Sequence, residues 1–474
     1  MTLTDGTSRW SGPWRTACAC VATALISGCV VLEPPPAPVV GLRYVYVVLG
    51  VDGQPVARAI TGDAACPGID FDGAALPMDV RARPITTPAR SRAPLGASKP
   101  AVFPVLTCEK VVPAGVVRAS IAGRALPLPQ PDPQRIAILG DTGCRLLIYA
   151  AGWQACNDTV AWPFKGVADG AAGTSPDLVL HVGDYHYRED PCPAGNAGCA
   201  GSPWGYGWDA WEADFFAPAE KLLAAAPWIV VRGNHEICSR AGQGWWRFLD
   251  PRPFNARQSC DDPADDGIGN YSAPYAVPLG AGRASDTQFI VFDSSVTGYE
   301  KLTPSDAMYR AYSPQFEAAF TLAARKPENF FVDHHPILGF ATNPEKPAEP
   351  YPGNAALQSV MNAFYPTVLF PPNVLATFAG HNHLLEVVSF STPHPAQFVF
   401  GNGGDFADVP LRLPLPPGTT PAPGAVVAGI VALSPFGYTT MGRDGAGWKL
   451  VARDVRGGLM TTCALAGKRA SCST

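Results

Sequence analysis

The sequence predicts an α/β protein in which a large layered domain follows a small all-β domain. Five short apolar runs between residues 135 and 383 each end in polar or ionisable residues. Helical patterns lie between these runs, for example over residues 313–326 and 354–364. Continuous apolar runs are typical of strands buried on both faces, and their alternation with helices is typical of layered α/β folds.

The N-terminal segment predicts export from the cytosol. Arg9 and Arg15 precede an apolar stretch, residues 17–26, that is too short to span a bilayer, because spanning takes about 20 residues. The following Ile26–Cys29 resembles a bacterial lipoprotein cleavage box, in which Cys29 becomes lipidated. The expectation is a signal peptide over residues 1–28 and a membrane-anchored lipoprotein that faces the periplasm or the exterior. The alternative is an ordinary signal peptide with an incidental Cys29.

The domain boundaries follow from composition. Residues 29–40 form a proline-rich linker, and residues 41–130 carry alternating strand-like segments that predict a small β-sandwich domain. A second proline-rich stretch, residues 127–134, marks the start of the main domain, which we place at residues 131–474.

Cysteine usage agrees with an oxidising compartment. Of the 13 cysteines, three lie in the N-terminal segment, and the remaining ten form close neighbouring pairs in chain order. Sequence alone does not fix connectivity. Neighbour spacing predicts the bridges Cys66–Cys108, Cys144–Cys156, Cys192–Cys199, Cys238–Cys260 and Cys463–Cys472.

Charge gives no indication of a nucleic-acid partner. The formal net charge is -5, and the basic residues are scattered without a long run. The oligomeric state is not predicted by any pattern in the chain.

The polar residues after the five apolar runs form a mixed oxygen and nitrogen donor set. They are Asp141, Asp184 with Tyr187, Asn234 with His235, His334 with His335, and His381 with His383. In α/β sheets, ligands bind beyond the carboxyl ends of the strands, so these side chains are candidates for one site. Such a donor set suits Zn, Fe or Mn better than Ca or Mg, and it is large enough for two ions.

The motifs GDTG, GDYHY, GNHE, HHP and GHNH, in this order, resemble those of the calcineurin-like metallophosphoesterases. They resemble the purple acid phosphatase-like branch more narrowly. Most of the superfamily has Asp-x-His at the first motif, whereas this chain has Asp141-Thr142-Gly143 there and Tyr187 at the second. The resemblance covers roughly residues 135–405 and implies a two-sheet α/β/β/α sandwich preceded by a fibronectin-like β domain.

The resemblance also implies a role for each motif residue. Asp141, Tyr187 and His383 would hold a first metal ion, and Asp184 would bridge it to a second. Asn234, His334 and His381 would hold the second ion. Because family members commonly show His-x-Pro with the first histidine as ligand, His334 is preferred over His335, which we assign to substrate binding.

The implied activity is hydrolysis of phosphate esters by a metal-activated hydroxide. His235 would contact the phosphate and protonate the leaving oxygen, and a phenolate from Tyr187 would favour Fe(III), with Zn, Mn or Fe(II) in the other position. The stretch after His335 lacks the further substrate histidines of plant-like enzymes. A phosphodiesterase or nucleotidase is therefore an alternative to an acid phosphatase-like enzyme. A lipoprotein binding module without turnover is the alternative from another class.

Overall fold

The computed structural model describes residues 40–90, 98–148, 152–280 and 285–473. The predicted signal peptide, Cys29 and most of the proline-rich linker lie outside the described residues. In the part of the chain that the structure describes, no helix has the length and apolar character needed to cross a bilayer.

The N-terminal region is built from strands. They are β1 (Leu42–Leu49), β2 (Pro55–Thr61), β3 (Gly68–Phe71), β4 (Ala74–Pro77), β5 (Asp79–Ala82), β6 (Ile85–Thr87), β7 (Ala101–Phe103), β8 (Leu106–Val111), β9 (Ala119–Ile121) and β10 (Arg124–Ala125). A short 3-10 turn, Val51–Gly53, connects β1 to β2. The predicted all-β character of this region is confirmed.

Strands and helices alternate in the first part of the main domain. They are β11 (Ile136–Leu139), β12 (Leu146–Leu147), β13 (Gly152–Trp153), α1 (Phe164–Gly173), β14 (Leu178–His181), α2 (Trp208–Trp211), α3 (Ala217–Ala225), β15 (Trp228–Val230), α4 (Gly242–Gly244) and α5 (Asp266–Gly269). A π-helical segment, Glu212–Phe216, joins α2 to α3, and a second, Trp245–Leu249, follows α4.

The second part of the main domain begins with an antiparallel strand pair and ends in a long meander. Its elements are β16 (Tyr275–Pro278), β17 (Thr287–Val291), α6 (Ala307–Ala323), β18 (Glu328–Val332), α7 (Ala355–Met361), β19 (Val374–Ala379), β20 (Leu385–Phe390), β21 (Ala396–Phe400), β22 (Val427–Leu433), β23 (Gly437–Asp444), β24 (Gly447–Asp454), β25 (Leu459–Ala466) and β26 (Arg469–Ser473). The helix expected over residues 313–326 begins earlier, since α6 continues through Pro314.

Two large sheets pack face to face and carry helices on their outer faces. One sheet has eleven strands in the order β26-β25-β24-β23-β11-β14-β15-β1-β2-β8-β5, and the other has seven in the order β16-β17-β18-β19-β21-β20-β22. One core joins the inner faces, where Ile138 and Leu180 of the first sheet share a cluster with Phe330 and Phe378 of the second. The outer clusters pack α1 and α3 against the first sheet and α6 and α7 against the second. The predicted α/β/β/α sandwich is confirmed.

The N-terminal strands extend the first sheet. β1 pairs in parallel with β15 through Val48 and Trp228, and β2, β8 and β5 continue the sheet outward from β1. The sheet is therefore continuous across the predicted boundary near residue 130. The division into two domains at that residue stays a prediction.

Buried arginines fasten the N-terminal strands to the main domain. Arg58 on β2 donates to the carbonyl oxygens of Phe248 (3.0 Å) and Asp250 (2.7 Å). Arg81 on β5 donates to the carbonyls of Trp246 and Asp250, at 2.6 and 2.9 Å. Hydrogen bonds to a charged group are stronger than neutral ones, so these contacts fix residues 246–250 against the sheet.

The five predicted disulfides are confirmed. They are Cys66–Cys108, Cys144–Cys156, Cys192–Cys199, Cys238–Cys260 and Cys463–Cys472. Such a set indicates an extracellular or periplasmic protein, because disulfides persist in oxidising compartments. Cys144–Cys156 closes a loop just after Asp141, and a loop of this size contributes roughly 3 kcal/mol in the chain-entropy model.

Glu386 on β20 gives the fold a testable pH dependence. Its Oε1 accepts the backbone N–H of Phe340 at 2.9 Å, while Oε2 has no partner among the described residues. Burial raises the pKa of Glu386 from 4.5 to about 8. The folded state therefore binds a proton that the unfolded state releases, and this contribution to stability is lost as pH rises from 4.5 towards 8.

We expect Glu386→Gln to remove this dependence. The difference in the free energy of unfolding between the two ends of that pH window should shrink by up to about 4 kcal/mol relative to the wild type. Denaturant titrations of both proteins, with chelator present, measure it. Parallel pH profiles would contradict a protonated Glu386.

Candidate metal centre

The five predicted strand ends meet at one edge of the sandwich. β11, β14 and β15 are parallel neighbours in the first sheet, and β18 and β19 are parallel neighbours in the second. Their carboxyl ends therefore share an edge in each sheet. The residues that follow these ends are the candidate ligands, and the structure brings all seven together: Asp141, Asp184, Tyr187, Asn234, His334, His381 and His383.

Tyr187 lies at the centre of a first group of candidate ligands. Its hydroxyl is 3.1 Å from Asp141 Oδ1, 2.8 Å from Asp184 Oδ2 and 3.0 Å from His383 Nε2. All four side chains are buried.

Asn234 lies at the centre of a second group. Its Oδ1 is 3.0 Å from both His334 Nε2 and His381 Nδ1. His334 Nε2 is also 3.1 Å from Asp184 Oδ2, the oxygen that contacts Tyr187. One carboxylate oxygen therefore belongs to both groups, which is the geometry expected of a bridging ligand.

The second group has the chemistry of a cation site. His334 Nδ1 is 2.9 Å from the carbonyl oxygen of Val182, so Nδ1 carries a proton and, in the neutral imidazole that binds a metal, Nε2 presents a lone pair. Asn234 Oδ1 therefore faces acceptors, unless its amide is rotated to supply a donor. A metal ion among these atoms would satisfy all of them without that rotation, so the residues fit the predicted metal.

The ring of His383, like that of His334, is oriented by a hydrogen bond from Nδ1 to a backbone carbonyl oxygen. Its Nδ1 donates to the carbonyl oxygen of Phe406 at 2.8 Å, and its backbone N–H donates to Asp408 at 2.8 Å. Nε2 is left to face Tyr187 and Asp141. Outer hydrogen bonds of this kind fix the tautomer and ring orientation of metal-ligating histidines.

Backbone conformation places the ligands. Asp141, Asp184 and His381 have φ values of 55°, 56° and 70°, in a left-handed region that non-glycine residues rarely adopt. A Cβ at Gly233 would collide with the Asp184 carboxylate, and one at Gly380 would collide with Asp141. The glycines in the GNHE and GHNH motifs therefore allow the strand ends to approach, and the strained residues mark a candidate functional site.

Two carboxylates that sequence reasoning did not single out support the loop after β14. Glu236 accepts the backbone N–H groups of Asp184 at 3.1 Å and Tyr185 at 2.9 Å. Asp214, in the π-helical segment, accepts the N–H of Tyr187 at 2.7 Å. The final letter of GNHE was a signal for Glu236, whereas no sequence pattern marks Asp214.

His235 lies beside the first group without joining it. Its ring centroid is 3.8 Å from that of Tyr187, its Nδ1 is 2.7 Å from Glu189 Oε1, and its Nε2 is 3.9 Å from Asp184 Oδ2. Arg240 pairs with Glu189 and also contacts the His235 ring. Burial, followed by the charge of Arg240, lowers the pKa of His235.

A cavity of about 340 Å³ opens over the centre, and Arg145 forms one wall of it together with His235 and Asp408. Asp405 holds the Arg145 guanidinium through Nε, at 3.1 Å from Oδ1 and 3.0 Å from Oδ2. Sequence reasoning missed Arg145, although it lies four residues after Asp141. A fixed cation on this wall favours an anionic ligand.

His335 packs beside the candidate ligands but belongs to neither of the two groups. Its backbone N–H and that of His334 both donate to Ser294 Oγ, at 3.1 and 3.0 Å, but its ring packs 4.2 Å from the ring of His381. The donor atoms that lie within 4.8 Å of one another belong to Asp184, His334 and His381.

The pKa of the Tyr187 phenol gives a further indication that a cation binds at this site. Burial raises the pKa of the Tyr187 phenol well above its ordinary value, and the carboxylates of Asp184 and Asp141 raise it further. A phenolate at this position therefore needs a strong positive charge in direct contact.

Comparison with known proteins places the chain in a family. Residues 134–385, more than half of the chain, match the calcineurin-like phosphoesterase family. The chain belongs to this family, and its broad class is that of metal-dependent phosphoesterases with a two-metal site. A search of curated proteins found no significant match.

Three solved structures are similar to this chain. PhoD has a TM-score of 0.50 and 12% sequence identity, with 91% of each chain covered. Purple acid phosphatase PPD1 from yellow lupin (Lupinus luteus) seeds has a TM-score of 0.49 and 15% identity, covering 89% of this chain and 74% of that chain. GAP50, the anchor in the inner membrane complex of Plasmodium, has a TM-score of 0.43 and 14% identity, covering 71% of this chain and 90% of that chain. At these identities the PhoD likeness indicates a shared fold alone.

The geometry predicts different outcomes for the two adjacent histidines. We expect His334→Ala to lose an ion and most of the thermal stabilisation that added Mn or Zn gives. His335→Ala is the matched control and should keep both the ion and the thermal stabilisation. A ligand at a hundredfold excess over its Kd stabilises by about 2.7 kcal/mol, which a melting curve detects. Metal analysis after dialysis completes the test, and the reverse pattern would make His335 the ligand.

Proposed function

We propose that the chain is an exported, purple acid phosphatase-like enzyme that hydrolyses phosphate esters at a two-metal centre. The observation that carries the proposal is the shared Asp184 Oδ2, which lies 2.8 Å from the Tyr187 hydroxyl and 3.1 Å from His334 Nε2. A single bridging oxygen between a tyrosine-containing group and an asparagine–histidine group fits two adjacent ions.

The proposed metal sets follow the two groups. Asp141, Tyr187 and His383 would hold the first ion, Asn234, His334 and His381 would hold the second, and Asp184 would hold both. Together with Asp184, the first set would present three anionic oxygens, which would favour Fe(III), with Zn, Mn or Fe(II) in the second position. When bound, such ions supply Lewis acidity to the phosphoryl group and lower the pKa of water.

The protein's own side chains bind and orient the ester. Arg145 and His235 line the cavity over the centre, so a phosphate there meets a guanidinium and an imidazole. Glu189 Oε1 is 2.7 Å from His235 Nδ1, so Nε2 donates to a phosphoryl oxygen or to the leaving oxygen when the ring is in its protonated, imidazolium form. Groups fixed in advance where charge develops favour the transition state over the bound substrate.

The preference between phosphate esters is open to a direct test. Competition between an aryl phosphate and its bis-ester, with metal-loaded protein, separates a monoesterase from a phosphodiesterase or nucleotidase. Phosphate release itself separates each of these enzymes from a binding module without turnover.

Export and lipid anchoring belong to the same proposal. The five disulfides support an oxidising compartment, whereas the lipidation of Cys29 rests on the sequence of the leader alone. Mass measurement of the mature N-terminal peptide tests it, since an unmodified residue 29 would exclude a lipid anchor.

We expect His235→Ala to retain both metal ions and to lower kcat by ~10²-fold or more, the usual scale for loss of a proton donor or charge-stabilising group. The control is His394→Ala, because His394 lies between β20 and β21 and bonds to Thr392. Steady-state kinetics and metal analysis measure both variants. Loss of metal from His235→Ala would show that His235 is a ligand and would contradict its assigned role.

Tyr187 gives a spectroscopic test of the first metal. A phenolate bound to Fe(III) should colour the protein purple, as the resemblance implies, and Tyr187→Phe should remove the visible band while the fold survives. Tyr185→Phe is the matched control, because the Tyr185 ring stacks on His181 at 3.9 Å, outside both ligand groups. A fully active wild-type enzyme without iron would refute the iron assignment but not the phosphoesterase.

A further inference from the structure

A second cavity adjoins the cavity over the metal centre. Its volume is about 530 Å³, compared with about 340 Å³ for the first, and the two share Ala341, His381 and Asn382 as lining residues. The wall between them therefore includes His381, a candidate metal ligand. A substituent on a molecule held at the centre would therefore have only these shared residues to pass before it reached the second cavity.

The walls of the second cavity are largely aromatic and apolar. Phe340, Pro336 and Pro352 contribute apolar surface. Tyr299 and Tyr351 also line it, with 62% and 51% of their surfaces exposed. Exposed aromatic rings at a pocket offer large contact areas with specific stacking geometry, and a planar ligand ring would cover them.

Tyr299 ties this cavity to the metal centre. Its hydroxyl is 2.5 Å from His381 Nε2, on the opposite side of the imidazole from the nitrogen that faces Asn234. The same histidine therefore contacts one ligand group through Nδ1 and the aromatic cavity through Nε2.

His335 also lines the second cavity. Its Nδ1 is 3.4 Å from Ser294 Oγ, which leaves Nε2 as the nitrogen able to meet a ligand. The histidine that does not join the metal group thus adds an imidazole to a largely apolar lining.

The charge pattern differs between the cavities. Among the described residues that line the second cavity, Glu300 is the one acidic residue, and none is a lysine or arginine. Arg145 lies on the wall of the first. A second phosphate would meet a carboxylate in the second cavity rather than a cation, so an uncharged group fits it better.

We propose that the second cavity binds the leaving group of the phosphate ester and that this group is a planar aromatic ring. The inference rests on the proposed phosphoesterase function and adds to it a substrate class, aromatic phosphate esters. Hydrolysis would add water across the P–O bond, releasing phosphate at the centre and the aromatic alcohol into the second cavity.

Phosphonates test this inference through binding alone, because their P–C bond is not hydrolysed. Aryl esters would be less suitable, since their higher intrinsic reactivity raises the rate of hydrolysis whether or not the ring is bound. Calorimetry with metal-loaded protein would compare benzylphosphonate with methylphosphonate. We expect the benzyl compound to bind at least about fivefold more tightly, the ratio given by one aromatic contact.

Two variants test whether the second cavity is the source of the preference for benzylphosphonate. Tyr351→Ala should reduce the affinity for benzylphosphonate to near that for methylphosphonate. Its backbone pairing with Ala341 does not need the ring, and a melting curve checks the fold. Leu459→Ala removes a similarly exposed apolar side chain, 62% exposed, on β25, and should keep the preference.

The two hypotheses fail in different ways. Equal binding of both phosphonates to the wild type, or an unchanged preference in folded Tyr351→Ala, would overturn the aromatic cavity and leave the phosphoesterase intact. Binding of neither phosphonate would overturn the proposed function and, with it, this inference.

Discussion

The arrangement of the site depends on one carboxylate, that of Asp184. Its Oδ1 accepts the backbone N–H of His235 at 2.8 Å, while Oδ2 faces Tyr187 and His334. His334 follows β18 in the second sheet, so Asp184 joins the carboxyl edges of the two sheets. Much of the surrounding structure has the effect of holding this group: a left-handed backbone, the close approach of Gly233, and the carboxylate of Glu236 beneath its loop.

A buried carboxylate in this position needs compensating positive charge. Asp141 and Asp184 are fully or nearly fully buried, with Asp405 close behind them. Arg145 offsets Asp405, but the carboxylates of Asp141 and Asp184 face a phenol and imidazoles. Without a metal ion, that positive charge would come from the imidazoles of His334 and His383, whose pKa values are raised to about 10 and about 9. Metal ions at the centre would therefore serve stability as well as chemistry, which fits the family to which the chain belongs.

The features that could be predicted from the sequence are those whose signals are local. Each motif follows its own strand, and each bridged cysteine pair consists of neighbours along the chain, so fold, motifs and bridges could be inferred. The contact between Arg145 and Asp405 joins residues 260 positions apart, and no pattern in the sequence links them. His334 and His335 were ambiguous because adjacent residues after a strand turn in different directions. The carbonyl of Val182 orients the ring of His334, and the hydroxyl of Ser294 orients the ring of His335.

The pairing of β1 with β15 has a consequence for how the chain acquires its structure. Val48 cannot pair with Trp228 until almost half of the chain has been synthesised. Until then, the edge of β1 that pairs with β15 has unpaired backbone N–H and C=O groups. Such edges promote association with other chains, and long-range pairing slows folding. A fragment starting after residue 130 would leave β15 uncovered and prone to aggregation.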